Sequence, residues 1–256
     1  MKSDLDQLLE FAVELARDAG EITLKYFRKK PETTTKTDGS YVTIADREAE
    51  AHIRKEIGAR FPDDGILGEE EGESQGRSGR RWIIDPIDGT FAFVHGVPFY
   101  GVLIAVEVEG EMNIGVVNIP ALDEMVFAAK GVGCFFNGEP ARASQTAKLE
   151  DALLLSTDFA ACERYGFGKA AASLQSRART SRTWGDCYGY VLVATGRADI
   201  MLDPVMNLWD CAPLLPILEE AGGTFTDWRG ARTAYGGNSI ATNGLLFDQV
   251  MGLVSR

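Results

Sequence analysis

Two aspartates three positions apart, Asp85 and Asp88, close the apolar run Trp82-Ile83-Ile84 within the string Asp85-Pro86-Ile87-Asp88-Gly89-Thr90. Gly68-Glu69-Glu70 precedes that string, and Trp209-Asp210 follows far downstream. A strand that ends in paired carboxylates and a Gly-Thr turn is a poor core and a good cradle for hard cations. Oxygen-only donors select Mg²⁺ or Mn²⁺ over zinc. Such a site suits metal-assisted hydrolysis of a phosphate ester. The uncatalysed reaction is so slow that a catalyst must lower its barrier by roughly 20 kcal/mol. Divalent cations contribute by binding phosphoryl oxygens, acidifying a bound water and stabilising the leaving alkoxide.

The spacing has a mechanical rationale. Pro86 stiffens the turn, and Asp88 returns to the side of Asp85, leaving the Ile87 carbonyl free as a further ligand. Gly89 lets the backbone approach a phosphate, and a helix starting after it would aim its first amides there. The Thr90 hydroxyl is placed to orient a water. Alone, Asp-Pro-x-Asp-Gly is an ordinary turn composition, Glu69-Glu70 a solvated charge pair, and Asp210 a helix-capping acid. Asp46, in Thr43-x-x-Asp46, also reads as a capping acid at a helix start. The joint occurrence of the acids, each at a strand end or helix start, favours a site. His52 and His95 have no partners at ligand spacing and read as structural or surface residues.

The elements that must position these groups follow from periodicity. Leu5, Leu8, Leu9, Ala12, Leu15, Ala16 and Ala19 predict a helix to about Phe27, with Ser3-x-x-Asp6 as a weak capping-box-like start. Lys29 to Ser40 reads as a loop, and Ala45, Ala49, Ile53 and Ile57 predict a second helix. Gly65 to Gly68 and Trp82 to Ile84 read as strands, with a mobile segment, Glu71 to Arg80, between them. Val102–Val108 and Ile114–Ile119 form a hairpin pattern that continues to Asn137. Leu153 to Leu155, Asp199 to Leu202, Thr224 to Asp227 and Ser239 to Thr242 read as strands. Asp186 to Thr195, Trp209 to Ala221 and Leu245 to Val254 read as helices, the second stopped by Gly222-Gly223. Two α/β subdomains, 1–148 and 149–256, with the site between them, accommodate this order.

With 256 residues and 45% hydrophobic content, the chain can build one large core or two packed subdomains. A net charge of -12 argues against nucleic acid as a partner. The interrupted basic run Arg177 to Arg182 reads as solvated surface. Cys134, Cys162, Cys187 and Cys211 are widely spaced, which fits reduced thiols in a cytoplasmic protein. The N-terminus lacks the apolar stretch of a signal peptide, and no run approaches membrane-span length.

Trp82 to Thr90, Leu208-Trp209-Asp210-Cys211-Ala212 with Glu219 to Gly223, and Gly68-Glu69-Glu70 together resemble the inositol monophosphatase superfamily of Mg²⁺-dependent, lithium-sensitive phosphatases. That resemblance implies a layered α-β-α-β-α sandwich, usually dimeric. It implies a first Mg²⁺ on Glu69, Asp85 and the Ile87 carbonyl, a second on Asp85, Asp88 and Asp210, and a weaker third near Glu69. It also implies a Thr90–Asp46 pair activating water, and phosphate on the Gly89 and Thr90 amides.

Thr183 to Tyr190, Asp203 to Asn207 and Gly96 to Gly101 are most similar to the bacterial histidinol-phosphate phosphatases within that superfamily. This implies histidinol phosphate as substrate, in histidine biosynthesis, with Gly185, Asp186, Asp203 and Asn207 at the substrate. Charge points the same way, because Asp186 and Asp203 would offer two carboxylates to an ammonium and imidazole. Two departures stand out: Asp203 where Glu is frequent, and Phe91-Ala92 in place of a polar pair. Rival readings are an inositol-1-phosphate or other sugar phosphatase, and a non-catalytic metal- or phosphate-binding regulator. A haloacid dehalogenase-type aspartyl-phosphate enzyme is disfavoured because its acids are separated by one residue.

Overall fold

Side-chain alternation along one strand sets the layers. Trp82 and Ile84 face one apolar cluster, while Ile83 between them faces another. The computed structural model describes residues 4–36 and 39–254. The first helix, α1 (Asp4–Leu24), and α2 (Ile44–Arg60) flank a short antiparallel pair, β1 (Thr33–Thr35) and β2 (Tyr41–Thr43). Helix α1 stops three residues before Phe27, because Lys25 and Tyr26 donate to carbonyls three residues back and tighten the turn. Its expected capping residue, Ser3, lies outside the described residues. The β-branched run 33–35 pairs as a strand where a plain loop was expected.

The first large sheet contains β3 (Gly65–Gly68), β4 (Gly72–Ser74), β5 (Arg80–Asp88), β6 (Gly101–Val108), β7 (Glu111–Ile119), β8 (Glu124–Ala129), β9 (Gly133–Phe136) and β10 (Glu139–Pro140). Its order is β10-β9-β8-β7-β6-β5-β3-β4, and β3 runs parallel to β5 while the other pairs are antiparallel. Helix α3 (Thr90–Val94) follows β5 directly. The segment expected to be mobile carries β4, and the Arg77 amide donates to the Asp63 carbonyl at 2.6 Å.

The second half contains β11 (Leu153–Ser156), α4 (Phe159–Arg164), α5 (Gly168–Arg177), β12 (Thr180–Arg182), α6 (Asp186–Ala194) and β13 (Ile200–Asp203). It closes with α7 (Leu208–Glu220), β14 (Thr224–Thr226), β15 (Ser239–Thr242) and α8 (Phe247–Val254). The second sheet runs β12-β11-β13-β15-β14. Helices α1 and α2 cover the outer face of the first sheet. Helices α4, α5 and α8 cover the outer face of the second. Helices α6 and α7 lie between the sheets, apolar nearly all round as a central layer requires. A Cβ on Gly115 of β7 would collide with the Pro213 carbonyl of α7, so glycine lets helix and sheet backbones touch. The result is an α-β-α-β-α sandwich. All four cysteines are buried, unpaired thiols.

Candidate metal and phosphate site

The paired carboxylates owe their common direction to a bulge. Asp85 pairs with Leu103 and Asp88 with Gly101, so β5 advances three residues while β6 advances two. Residues three apart on a regular strand face opposite sides, and one extra residue restores the same side. The Ile87 amide donates to Asp85 Oδ1 at 3.0 Å and fixes the turn. Gly89 follows at φ +80°, and a Cβ there would sit 3.1 Å from both Asp186 Oδ2 and the Phe99 carbonyl. Glycine is therefore favoured by the backbone conformation, and the space beside it is tight. Thr90 opens α3, and its hydroxyl donates to the Ile87 carbonyl at 2.9 Å.

Glu69 arrives from the neighbouring parallel strand, whose Gly68 lies opposite Ile84, one residue before Asp85. The turn that carries it is anchored by Glu50 of α2, a fully buried carboxylate. Glu50 accepts the amides of Glu70 at 2.8 Å and Glu71 at 3.0 Å, and Arg54 Nε at 2.8 Å. A Cβ on Gly68 would collide with Glu50. Lys36 Nζ donates to Glu69 and Glu70, each at 2.7 Å. Burial works against that ammonium, but the two carboxylates outweigh it and hold its pKa above the usual lysine range. Asp210 sits in the first turn of α7, where its Oδ2 accepts the Asn207 amide at 2.7 Å.

Oxygens of Asp85, Asp88 and Asp210 lie within 4.8 Å of one another. Glu69, Asp85, Ile87, Asp88, Gly89, Thr90, Asp186, Asn207 and Asp210 line one cleft of about 230 Å³. Burial, then the charges of Glu69, Asp88 and Asp210, drive the Asp85 pKa well above the carboxylate range. Burial, then Asp88, pushes Asp210 up to about 8. Asp88 is also raised, chiefly by burial, although the Cys187 amide donates to its Oδ2 at 2.5 Å. A cation bound among buried acids crowded in this way stabilises them as carboxylates. The all-oxygen donor set fits a hard divalent ion.

Beside this cleft lies a second cavity, of about 130 Å³, lined by Asp88, Thr157, Asp158, Asp186, Asp203 and Met206, among others. Asp186, at the start of α6, borders both spaces and has φ +50°, unusual for a residue with a Cβ. Its pKa is pushed well up, by burial first and then by Asp88, Asp203 and Asp210. Gly185 is packed against Thr157 so closely that a Cβ would collide with the Thr157 Cα.

Asp203 turns out to be only 4% exposed. Its Oδ1 accepts the Thr157 amide at 3.2 Å and its Oδ2 the Tyr190 hydroxyl at 2.8 Å, so both oxygens are engaged inside the protein. Burial leads the causes that raise its pKa to about 7.

Asp46 lies at the start of α2 and caps it. Its Oδ2 accepts the Thr43 amide at 2.8 Å and the Thr43 hydroxyl at 2.6 Å. Among the described residues, its buried Oδ1 has no hydrogen-bond partner. Burial, partly offset by Thr43, raises its pKa to about 7. The Thr90 hydroxyl is bonded to Ile87 rather than to Asp46.

Of the two histidines, His95 bonds the Phe91 carbonyl through Nδ1, while the buried Nε2 of His52 has no hydrogen-bond partner among the described residues. Phe91, 67% exposed, stacks on Tyr41 and lies against His95. Sequence reasoning missed Lys36, Glu50 and Thr157. Only Glu50 carried a readable signal, its i,i+4 spacing to Arg54.

The sequence matches the model of the inositol monophosphatase family over residues 4–253. The chain belongs to the inositol monophosphatase family. A histidinol-phosphatase of Chlorobaculum parvum is 47% identical, the match covering 91% of each chain. A histidinol-phosphatase of Mycobacterium tuberculosis is 39% identical over 95% of this chain and 96% of its own. A solved Thermotoga maritima IMPase superposes with a TM-score of 0.88 at 37% identity, covering 98% of this chain and 97% of that one. The family match takes in every carboxylate of the cleft, from Glu69 to Asp210. Among the described residues, no helix is long and apolar enough to cross a membrane.

Proposed function

We propose that this family member is a phosphoric monoester hydrolase that converts L-histidinol phosphate to L-histidinol and phosphate, a step of histidine biosynthesis. The observation that carries the hydrolase reading is the convergence of Asp85, Asp88 and Asp210 within 4.8 Å. Glu69, Asp85, the Ile87 carbonyl, Asp88 and Asp210 are the residues that would hold Mg²⁺, two or three ions per subunit. Bound Mg²⁺ supplies charge stabilisation at the phosphoryl oxygens and a more acidic water. Mn²⁺ substitutes and Li⁺ inhibits.

Gly89 and Thr90 present backbone amides to the phosphate. Asp46 and Thr90 take up the proton of the attacking water, and among the described residues Asp46 keeps one buried oxygen, Oδ1, without a hydrogen-bond partner. Gly185 and Asn207 shape the substrate space, and Asp186 draws the cationic end of the substrate. The residues 1–148 and 149–256 act as two subdomains, and the protein works as a cytoplasmic homodimer.

Inositol 1-phosphate is the second reading. It is favoured by the Thermotoga structural likeness and by the inward turn of Asp203, which leaves one fewer acid for a cation. Parallel kcat/KM measurements on the two substrates decide between them. A preference of at least about tenfold for histidinol phosphate, near 1.4 kcal/mol, supports the first reading, and the reverse preference refutes it.

A further inference from the structure

Asp203 and Asp186 both border the second cavity, yet they are bonded very differently. Both Asp203 oxygens are taken, one by the Thr157 amide and one by the Tyr190 hydroxyl, which also contacts Ser239. Among the described residues, no donor is bonded to the Asp186 carboxylate, and the groups that face it electrostatically are Asp88, Asp203 and Asp210. The link between the two acids is Thr157. Its amide donates to Asp203, and its Oγ1 accepts the Asp186 amide at 2.8 Å. The preceding residue, Gly185, is seated against the Thr157 backbone with no room for a side chain. Asp186 itself holds φ +50°, a conformation that needs support from its surroundings when the residue is not glycine.

We infer that Asp203 is a positioning residue and not a substrate contact: through Thr157 it holds Asp186 in the left-handed conformation that presents its carboxylate to the cationic end of the substrate. This assignment rests on the cationic-substrate reading above and narrows it from two acids to one. Thr157 thereby becomes a determinant of specificity. Its hydroxyl is the acceptor that fixes the Asp186 amide, and valine at this position has nearly the same shape without that acceptor.

The test uses the full-length, Mg²⁺-loaded protein with two substrates, histidinol phosphate and the uncharged-alcohol ester β-glycerophosphate. Thr157→Val is expected to raise KM for histidinol phosphate about tenfold, with a much smaller change in kcat and in β-glycerophosphate turnover. Thr157→Ser is expected to restore the wild-type KM. On an Asp186→Ala background, Thr157→Val is expected to add nothing, because the two residues act as one unit. Asp203→Asn, which keeps an acceptor for the Thr157 amide, is expected to resemble Thr157→Ser. Equal losses on both substrates, additivity with Asp186→Ala, or failure of the serine variant to rescue would each overturn the inference. Wild-type protein that ignores histidinol phosphate refutes the substrate reading instead. Positioning is then decided by crystal structures. Asp186 leaving the left-handed region in Thr157→Val supports it, and an unmoved Asp186 carboxylate overturns it.

Discussion

Helices α2 and α7 begin with the same local device and end in different surroundings. In each, an aspartate in the first turn accepts the amide of the residue three before it, Thr43 to Asp46 and Asn207 to Asp210. Asp210 then shares its space with Asp85 and Asp88. Asp46 shares its second oxygen with nothing among the described residues. Both acids are pushed up, to about 8 and about 7, mainly by burial. The next contributor to Asp210 is the charge of Asp88, whereas Asp46 is held down by its own Thr43. A capping aspartate is thus a backbone device wherever it stands. It becomes a ligand only where a second element delivers further acids.

Four experiments can break or sharpen that contrast. Asparagine keeps an acceptor for either cap, so substitution isolates the second role of each acid. Asp210→Asn should lower kcat/KM about a thousandfold at fixed Mg²⁺, roughly 4 kcal/mol, and should raise the Mg²⁺ concentration needed for half-maximal rate. Asp46→Asn should cost about a hundredfold, the scale of a lost proton acceptor, with the Mg²⁺ requirement preserved. A shared shift in Mg²⁺ requirement would erase the distinction.

The pH dependence of stability is the third. Folded pKa values of about 8 and about 7 stand above an unfolded value near 3.9. Between those limits the folded chain binds more protons than the unfolded one, so unfolding free energy falls as pH rises. The chelated protein should therefore melt at lower temperature at pH 8 than at pH 5. Added Mg²⁺ should raise the Tm more at pH 8, and Asp210→Asn should flatten the chelated profile. A chelated Tm that climbs from pH 5 to pH 8 would contradict the charge crowding described for the cleft.

The smallest effect concerns the caps. Thr43→Ala removes a hydroxyl bonded to Asp46 and an acceptor for the Ala45 amide, and should cost about 1 kcal/mol. Asn207→Ala leaves its backbone amide bonded to Asp210 and should cost less than about half of that in urea unfolding.

What could be read from the chain beforehand follows the range of the interactions. Asp85, Asp88 and Thr90 share one short turn, so their spacing already carried the geometry, and Asp210 was marked by a helix start. The helices and most strands were legible through periodicity, and the layered sandwich through the family resemblance. Asp203 was placed at the substrate by the resemblance to histidinol-phosphate phosphatases and by its charge. Its actual partners, Thr157 and Tyr190, are 46 and 13 residues away and have no pattern that announces them. Lys36 was hidden for the same reason: its carboxylates are 33 and 34 residues downstream. The β1–β2 pair went unseen because three-residue strands are too short for alternation to register.

The single surplus residue that β5 inserts against β6 has an evolutionary corollary. Whether Asp88 points into the cleft depends on the parity of a count. Adding one residue to β6 between Gly101 and Leu103 would let the ladder close regularly, three residues against three, while sending one of the two carboxylates into the opposite layer. Such an insertion dismantles the acid pair without altering either acid.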